Sequence, residues 1–277
     1  DIIEISPGDA HRAAALEDSK LIEFSTHHAD SDSYRIIKGG EVLKAVILCG
    51  GKGIRMQPLT YEIPKPLLPV HGRPVLEHLF DLLKKYDVRD VILSVGYLKE
   101  KIKDYVGTGE KLSMRVVYGE ENEPLGTAGS LNLFRDRIHE TFIVSNGDEL
   151  KDININKMLT QHKQAKALVT IALTEVIEPS NYGVAKLDGD KIMEFVEKPE
   201  KGREPSKFIN AGFYMMEPEI FEYIPKGFSM LEKDVFPKIA KLGKLQGYKF
   251  EGQWFDKVTF ERYEKAIKGW KDISGDV

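Results

Sequence analysis

The sequence is poor in cysteine. A single one, Cys49, in 277 residues excludes a disulfide framework and any metal site built on thiolates. No apolar run approaches the roughly 18 residues of a membrane span, and no charged-then-apolar leader pattern is visible. Both read as a soluble, cytoplasmic chain. Positive charge is not in excess: 40 Lys and Arg stand against 44 Asp and Glu, a net charge of -4. The basic field of a nucleic-acid binder is therefore absent. Internal repeats and low-complexity tracts are not evident. The chain starts at Asp1 rather than Met, which reads as a fragment or a processed product.

What is present is ordinary globular material, 42% hydrophobic and 30% charged, enough for one large domain with an appendage. It is organised around Leu48 to Pro69, L-C-G-G-K-G-I-R-M-Q-P-L-T-Y-E-I-P-K-P-L-L-P. An apolar run, Val42–Cys49, reads as a buried strand leading into Gly50, Gly51 and Gly53. Glycines let a backbone turn tightly and approach a ligand, and their N–H groups can form an anion-binding concavity. Arg55 adds a forked cation and Lys65, between Pro64 and Pro66, a point charge. Together they make an inventory for a polyphosphate. Two better-known phosphate loops are excluded. Gly53 is followed by Ile54 and Arg55 rather than Lys-Ser/Thr, and Pro58 interrupts any helix after the glycines.

Beyond Val42 the pattern alternates strand and helix. Val91–Val95, Met114–Tyr118 and Thr141–Ser145 read as strands; Val75–Tyr86 and Ala128–Phe134 read as helices. This implies an α/β fold, a mainly parallel Rossmann-like sheet with helices on both faces. Ligands in such sheets bind beyond the carboxyl ends of the strands. The glycine loop and Asp148, in Asn146-Gly147-Asp148, follow strands and fall on that edge. Asp148 suits a hard cation such as Mg²⁺, the usual companion of a nucleoside triphosphate. The second half reads as β-rich, with strands at Ala167–Glu175, Gly183–Leu187, Lys191–Glu197, Phe208–Met216 and Leu245–Phe250. Asp188-Gly189-Asp190 is a hairpin turn, and helical patterns occupy Ile155–Ala165, Leu231–Leu242 and Phe260–Lys271.

The central stretch resembles the signature of the sugar-nucleotide pyrophosphorylases, which join a sugar 1-phosphate to a nucleoside triphosphate. Their pattern is approximately G-G-x-G-T-R-L-x-P-L-T-x-x-x-P-K-P; Ile54 stands for its threonine and Met56 for its leucine. The resemblance extends over about 42–270 and implies roles for further residues. Glu121-Asn122-Glu123-Pro124-Leu125-Gly126-Thr127-Ala128-Gly129 resembles the segment that lines the nucleobase pocket. Gly126 would allow close approach, and Glu121 or Glu123 would accept hydrogen bonds. Guanine presents two adjacent donors to a carboxylate, which favours GTP. Phe195-Val196-Glu197-Lys198-Pro199 resembles the element in which Lys198 binds the sugar phosphate and Glu197 a sugar hydroxyl. Asn210-Ala211-Gly212 and Tyr182-Gly183 resemble two more sugar-contacting elements. Asp256, in G-Q-W-F-D, would be the second Mg²⁺ ligand beside Asp148. The family's I-G-T-P is replaced there by Lys257-Val258-Thr259-Phe260.

The resemblance implies a sugar-1-phosphate nucleotidyltransferase domain over 41–277, with Arg55, Lys65, Asp148 and Lys198 as catalytic residues. A mannose- or heptose-type sugar is expected; UTP or dTTP with glucose 1-phosphate stays open. So does a nucleotide-sugar-binding regulator with little turnover. Residues 1–40 form a separate β-rich segment and linker. P-G-D-x-H and L-I-E-F-S resemble the closing strands of a cupin, with His11 at a metal-ligand position but its companions missing. Unpaired strand edges and apolar residues such as Ile5 and Phe24 point to burial against another element or pairing in a homo-oligomer.

Overall fold

The computed structural model describes residues 43–273. The expected strands, turn, linker, domain boundary and His11 of residues 1–40 lie outside the described residues.

In chain order the strands are β1 (Lys44–Cys49), β2 (Pro69–Val70), β3 (Arg73–Pro74), β4 (Asp90–Val95), β5 (Arg115–Glu120), β6 (Phe142–Asn146) and β7 (Leu150–Lys151). Then come β8 (Val169–Glu175), β9 (Gly183–Asp188), β10 (Lys191–Glu197), β11 (Phe208–Met216), β12 (Leu245–Lys249) and β13 (Trp254–Phe255). The helices are α1 (Leu59–Glu62), α2 (Val75–Lys85), α3 (Lys99–Val106), α4 (Gly126–Gly129), α5 (Ile155–Gln164), α6 (Phe236–Lys241) and α7 (Phe260–Gly269).

Nine strands form one mixed sheet in the order β5-β4-β1-β6-β11-β8-β12-β10-β9. The first four are parallel. β11 enters antiparallel between β6 and β8, and β9–β10 is the expected hairpin, turning at Gly189 with φ +60°. Side chains alternate between two cores, as the strand period of two requires. Val46, Val144, Tyr214 and Met216 pack on one face with Phe236 and Ile239 of α6. Ala45, Ile47, Phe213 and Met215 pack on the other with Leu79, Phe80 and Leu83 of α2. Each large side chain so buried contributes about 1.5–3 kcal/mol. No helix among the described residues is long and apolar enough to cross a membrane.

Two helical patterns resolve differently from expectation. Ala128–Phe134 is not a regular helix: α4 is one turn, followed by a 3-10 stretch, Ser130–Arg137. Gly126 and Gly129 give it little intrinsic helicity. Leu231–Leu242 splits into a π turn, Leu231–Val235, and α6. Pro237, at the start of α6, has no N–H to continue an upstream helical ladder.

The register fixes the site. Leu48 pairs with Asn146 across β1–β6, and Cys49 with Val95 across β1–β4. The glycine loop, Asp148 and the end of β5 therefore emerge together at the carboxyl edge of the parallel strands.

Candidate functional site

That edge carries a cleft of about 490 Å³. One wall is the glycine loop. Gly53 is left-handed (φ +61°), and a Cβ there would lie 2.9 Å from Thr60 Cγ2. Buried Thr60 donates its hydroxyl to the Gly53 carbonyl at 2.9 Å, which pins the loop. Gly51 has open space where a side chain would be, so its backbone faces the cleft unobstructed. Arg55 follows, exposed and lining the same cleft.

The floor is an ion pair. Lys65 Nζ lies 2.5 Å from Asp148 Oδ2. Burial pushes the Asp148 carboxyl up, but Lys65 in contact, with Lys257 and Lys151 nearby, outweighs it and holds the group below the usual carboxylate range. Gly147 turns the chain after β6 and is small for a packing reason. A Cβ there would stand 2.5 Å from Cys49 Sγ.

Beside the glycine loop the cleft is lined by Glu121, while Glu123 is exposed and does not line it. Glu121 accepts from Ser94 Oγ and from the Leu125 N–H, both at 3.0 Å. Each oxygen keeps further acceptor capacity. Gly50 makes room for it: a Cβ there would be 2.6 Å from Glu121 Oε1. Gly126 (φ +76°) lines the cleft, but its Cβ direction is filled by the Ser229 carbonyl and the Phe228 ring.

The remaining expected residues form a second cluster beside the cleft. Asn146, on the cleft wall, donates to Glu149 Oε1 at 2.8 Å, and the Trp254 indole donates to Glu149 Oε2 at 3.2 Å. Trp254 meets the Tyr182 ring edge-on at 5.6 Å. Gly183 pairs with Glu197, and a Cβ on it would strike Phe195 and Glu197. Lys198, exposed, has its Nζ 3.5 Å from Glu197 Oε1. Its backbone is left-handed at φ +50°, a strained setting for a non-glycine residue that costs on the order of 1 kcal/mol or more. Its N–H donates to the Tyr182 carbonyl at 2.9 Å. Asn210 donates to the Tyr214 hydroxyl and accepts from the Gly212 N–H, both at 2.9 Å. Lys198 thus belongs to this cluster, not to the cleft lining.

Asp256 follows β13 of the β7–β13 ribbon, in which Phe255 pairs with Leu150 and Trp254 with Lys151, and its charge is felt by Glu149. Its Oδ2 is 2.8 Å from the Arg262 guanidinium, and its Oδ1 accepts from the Val258 N–H at 3.3 Å. The Tyr182 phenol is pushed well up, by burial first and then by Asp256. Arg262 is aimed there by the start of α7, where Thr259 Oγ1 accepts from the Arg262 N–H.

Among the described residues no group of three or more His, Cys, Asp or Glu converges as a cation site. Mg²⁺ does not need one, since it usually takes one or two carboxylates with waters and substrate phosphates. Asp148 suits that donor set at the cleft, whereas Asp256 does not line it and its oxygens already accept from Arg262 and the Val258 N–H. Asp148 opens into the cleft, and Asp256 is buried under Arg262.

Sequence reasoning missed Glu149, Lys151 and Arg262. Lys151 is fully buried, donating to the Gly212 carbonyl at 2.9 Å and to Ser145 Oγ and Glu149 Oε2 at 3.3 Å. Burial pulls its ammonium down despite Glu149. Burial pushes Glu149 up, and Asp148 and Asp256 add to that against Lys151. Lys257 is also fully buried. It donates to the Lys65 carbonyl at 3.2 Å, and burial pushes it down to about 7 although Asp148 favours its charge. The sequence signal for Glu149 was only its place after Asp148.

The nucleotidyl transferase family model matches residues 44–273. The chain belongs to the nucleotidyl transferase family. It is 40% identical over 220 residues to mannose-1-phosphate guanylyltransferase catalytic subunit beta of Danio rerio, covering 77% of this chain and 61% of that one. It is 34% identical over 244 residues to a UTP–glucose-1-phosphate uridylyltransferase of Synechocystis sp., covering 82% and 63%. The chain thus spans less than two thirds of the length of these curated relatives. Among solved structures it is similar to HddC from Yersinia pseudotuberculosis complexed with GMP-PN. The TM-score is 0.71 and the identity 30%, with 83% of this chain and 100% of that chain covered.

Proposed function

We propose that the chain joins a sugar 1-phosphate to a nucleoside triphosphate, giving a nucleotide sugar and pyrophosphate. The substrates of this reading are GTP and a mannose- or heptose-type sugar 1-phosphate. The observation that carries it is the Lys65–Asp148 pair in a cleft that the glycine loop, Arg55 and Glu121 also line. The family membership and the Danio rerio relative's name support it.

An oxygen of the sugar phosphate attacks the α-phosphorus in line. The new P–O bond forms as the bond to the β-phosphate oxygen breaks, and the electron pair leaves with pyrophosphate. The attacking oxygen is already anionic at neutral pH, so no general base is required. The protein's work is to hold two anions together and to stabilise the transition state. The glycine-loop amides cradle the triphosphate, and Arg55 stabilises charge at the α-phosphate and the departing group. Lys65 and Lys198 clamp the incoming phosphate. Glu121 accepts from guanine N1–H and the 2-amino group. Glu197, Asn210 and the Tyr182-Gly183 backbone orient the sugar. Mg²⁺, when bound by Asp148, would neutralise charge on the phosphates.

Pyrophosphate release with a panel of triphosphates and sugar phosphates tests the reading: GTP with mannose or heptose 1-phosphate should be the best pair. A preference for UTP or dTTP with glucose 1-phosphate would replace the substrates; the Synechocystis relative motivates that arm. No release from any pair, with tight nucleotide-sugar binding, would favour the regulator, which Ile54 and Lys257 motivate. A cytoplasmic setting and a homo-oligomer assembled through residues 1–38 belong to the same proposal. Light scattering on this chain and on one starting at residue 41 tests the assembly.

A further inference from the structure

The cleft carries an aromatic ring that the phosphate and sugar assignments leave unused. Phe228 is 66% exposed, yet it lines the cleft. An exposed phenylalanine alone is unremarkable on a protein surface. This one is held in place by its backbone. The Ser229 N–H donates to the Leu125 carbonyl at 2.9 Å, and the Ser229 carbonyl accepts from Ala128 and Gly129 at 2.9 and 3.1 Å. Two residues on, the Leu231 N–H donates to Thr127 Oγ1 at 2.9 Å, and the Thr127 hydroxyl donates to buried Glu232 at 2.7 Å. The glycines of α4 exist for this strap. A Cβ at Gly126 would sit 2.4 Å from the Ser229 carbonyl, and one at Gly129 2.2 Å from the Gly227 carbonyl. The strap from Gly227 to Glu232 is thus clipped along the Leu125–Gly129 loop, with the Phe228 ring against Gly126.

We propose that Phe228 stacks on the nucleobase and biases the site toward purines. The inference rests on the reading of the cleft as a nucleoside triphosphate site. On its Cβ side Gly126 is covered by the strap, which leaves the loop's other side to the cleft. What the strap offers is an exposed aromatic ring at a cleft that the glycine loop also lines. Stacking is tolerant of base identity, because every base has a π-face. Overlap grows with ring area, so a bicyclic purine gains more than a pyrimidine. Glu121 then discriminates by hydrogen bonding between bases that Phe228 has already favoured by area.

Calorimetric binding of GTP, ATP, UTP and pyrophosphate, without sugar phosphate, tests this on the full chain. The proteins are the wild type, Phe228→Ala and Phe228→Tyr. Phe228→Ala should weaken both purine triphosphates roughly ten- to hundredfold, from the usual worth of base stacking. UTP should weaken less and pyrophosphate not at all, while Phe228→Tyr should stay within about threefold of wild type. Because the ring is exposed, the melting temperature should hold. Unchanged GTP affinity in Phe228→Ala overturns the proposal, as does equal weakening of pyrophosphate. A sugar phosphate KM raised with triphosphate affinity intact would place the ring at the sugar and also overturn it. If the wild type binds UTP but not GTP, the guanine reading fails. A smaller loss for UTP than for ATP in Phe228→Ala would still support the stacking role, and an equal or larger one would sink it.

Discussion

Lys65 Nζ and Asp148 Oδ2 lie 2.5 Å apart, joining the P-K-P turn to the end of β6 across 83 residues of sequence. The pair keeps a partly buried carboxylate charged. It also sets Asp148 at the cleft floor, where a hard cation and a triphosphate would compete with Lys65 for it. Asp148→Asn keeps the shape and removes the charge. It should preserve the fold and lower kcat by roughly a hundredfold or more, a loss of about 2.7 kcal/mol in transition-state stabilisation. Circular dichroism and a Mg²⁺ titration of activity check this. A variant with wild-type Mg²⁺ dependence would remove Asp148 from the site.

Arg55 and Lys198 should fail differently. Arg55 stands on the glycine loop at the cleft, and Lys198 in the neighbouring cluster beside Glu197. Arg55→Ala should mainly lower kcat, as loss of an interaction made in the transition state does. Lys198→Ala should mainly raise KM for the sugar phosphate, as loss of ground-state binding does. Steady-state kinetics on both substrates decide it. Equal effects confined to kcat would dissolve the distinction.

The parallel half of the sheet and the glycine loop at its edge were legible because both are local. Strands such as Asp90–Val95 are short apolar runs, and Gly50 to Lys65 is one contiguous segment. The hairpin at Gly189 was legible for the same reason. Glu149 and Lys151 were not, because their burial is decided by Trp254 and Gly212, far along the chain. The strap around Phe228 was invisible for the same reason. Nothing in Gly227-Phe228-Ser229 signals that its partners are Leu125 and Gly129. The Leu231–Leu242 pattern misled because apolar periodicity survives a π turn and a proline that hydrogen bonding does not.

A pH-dependent element lies away from the site. Glu217 accepts from Thr141 Oγ1 at 2.9 Å and pairs with Lys163 at 3.0 Å and His162 at 3.2 Å. Burial pushes this carboxyl up, but Lys163 and Thr141 together outweigh it and hold it below its usual range. Its contribution is therefore present above the unfolded carboxyl pKa and lost as pH falls through the folded value. The group is partly exposed, so solvent screening leaves about 1 kcal/mol. Glu217→Gln should lower the melting temperature by roughly 2–4 °C near neutral pH. The gap to wild type should narrow in thermal melts as pH falls below the ordinary glutamate range. A gap that is constant with pH would mean that packing, not charge, is what Glu217 supplies.

Gly212 and Gly189 separate backbone strain from site geometry. Both are left-handed, at φ +60°. An alanine at either pays the same left-handed penalty, on the order of 1 kcal/mol. At Gly189 nothing stands within 4 Å of the new Cβ. At Gly212 it would stand 2.4 Å from Asn146 Nδ2 and 2.8 Å from Glu149 Oε1, the atoms that link the cleft to the neighbouring cluster. Gly189→Ala should therefore lose a few degrees of melting temperature, roughly 2–4 °C per kcal/mol, with kinetics unchanged. Gly212→Ala should lose at least as much. It should also raise KM for the sugar phosphate roughly tenfold, the effect of about 1.4 kcal/mol of lost binding. If the two variants match in both stability and kinetics, the Asn146–Glu149 link does not serve the site.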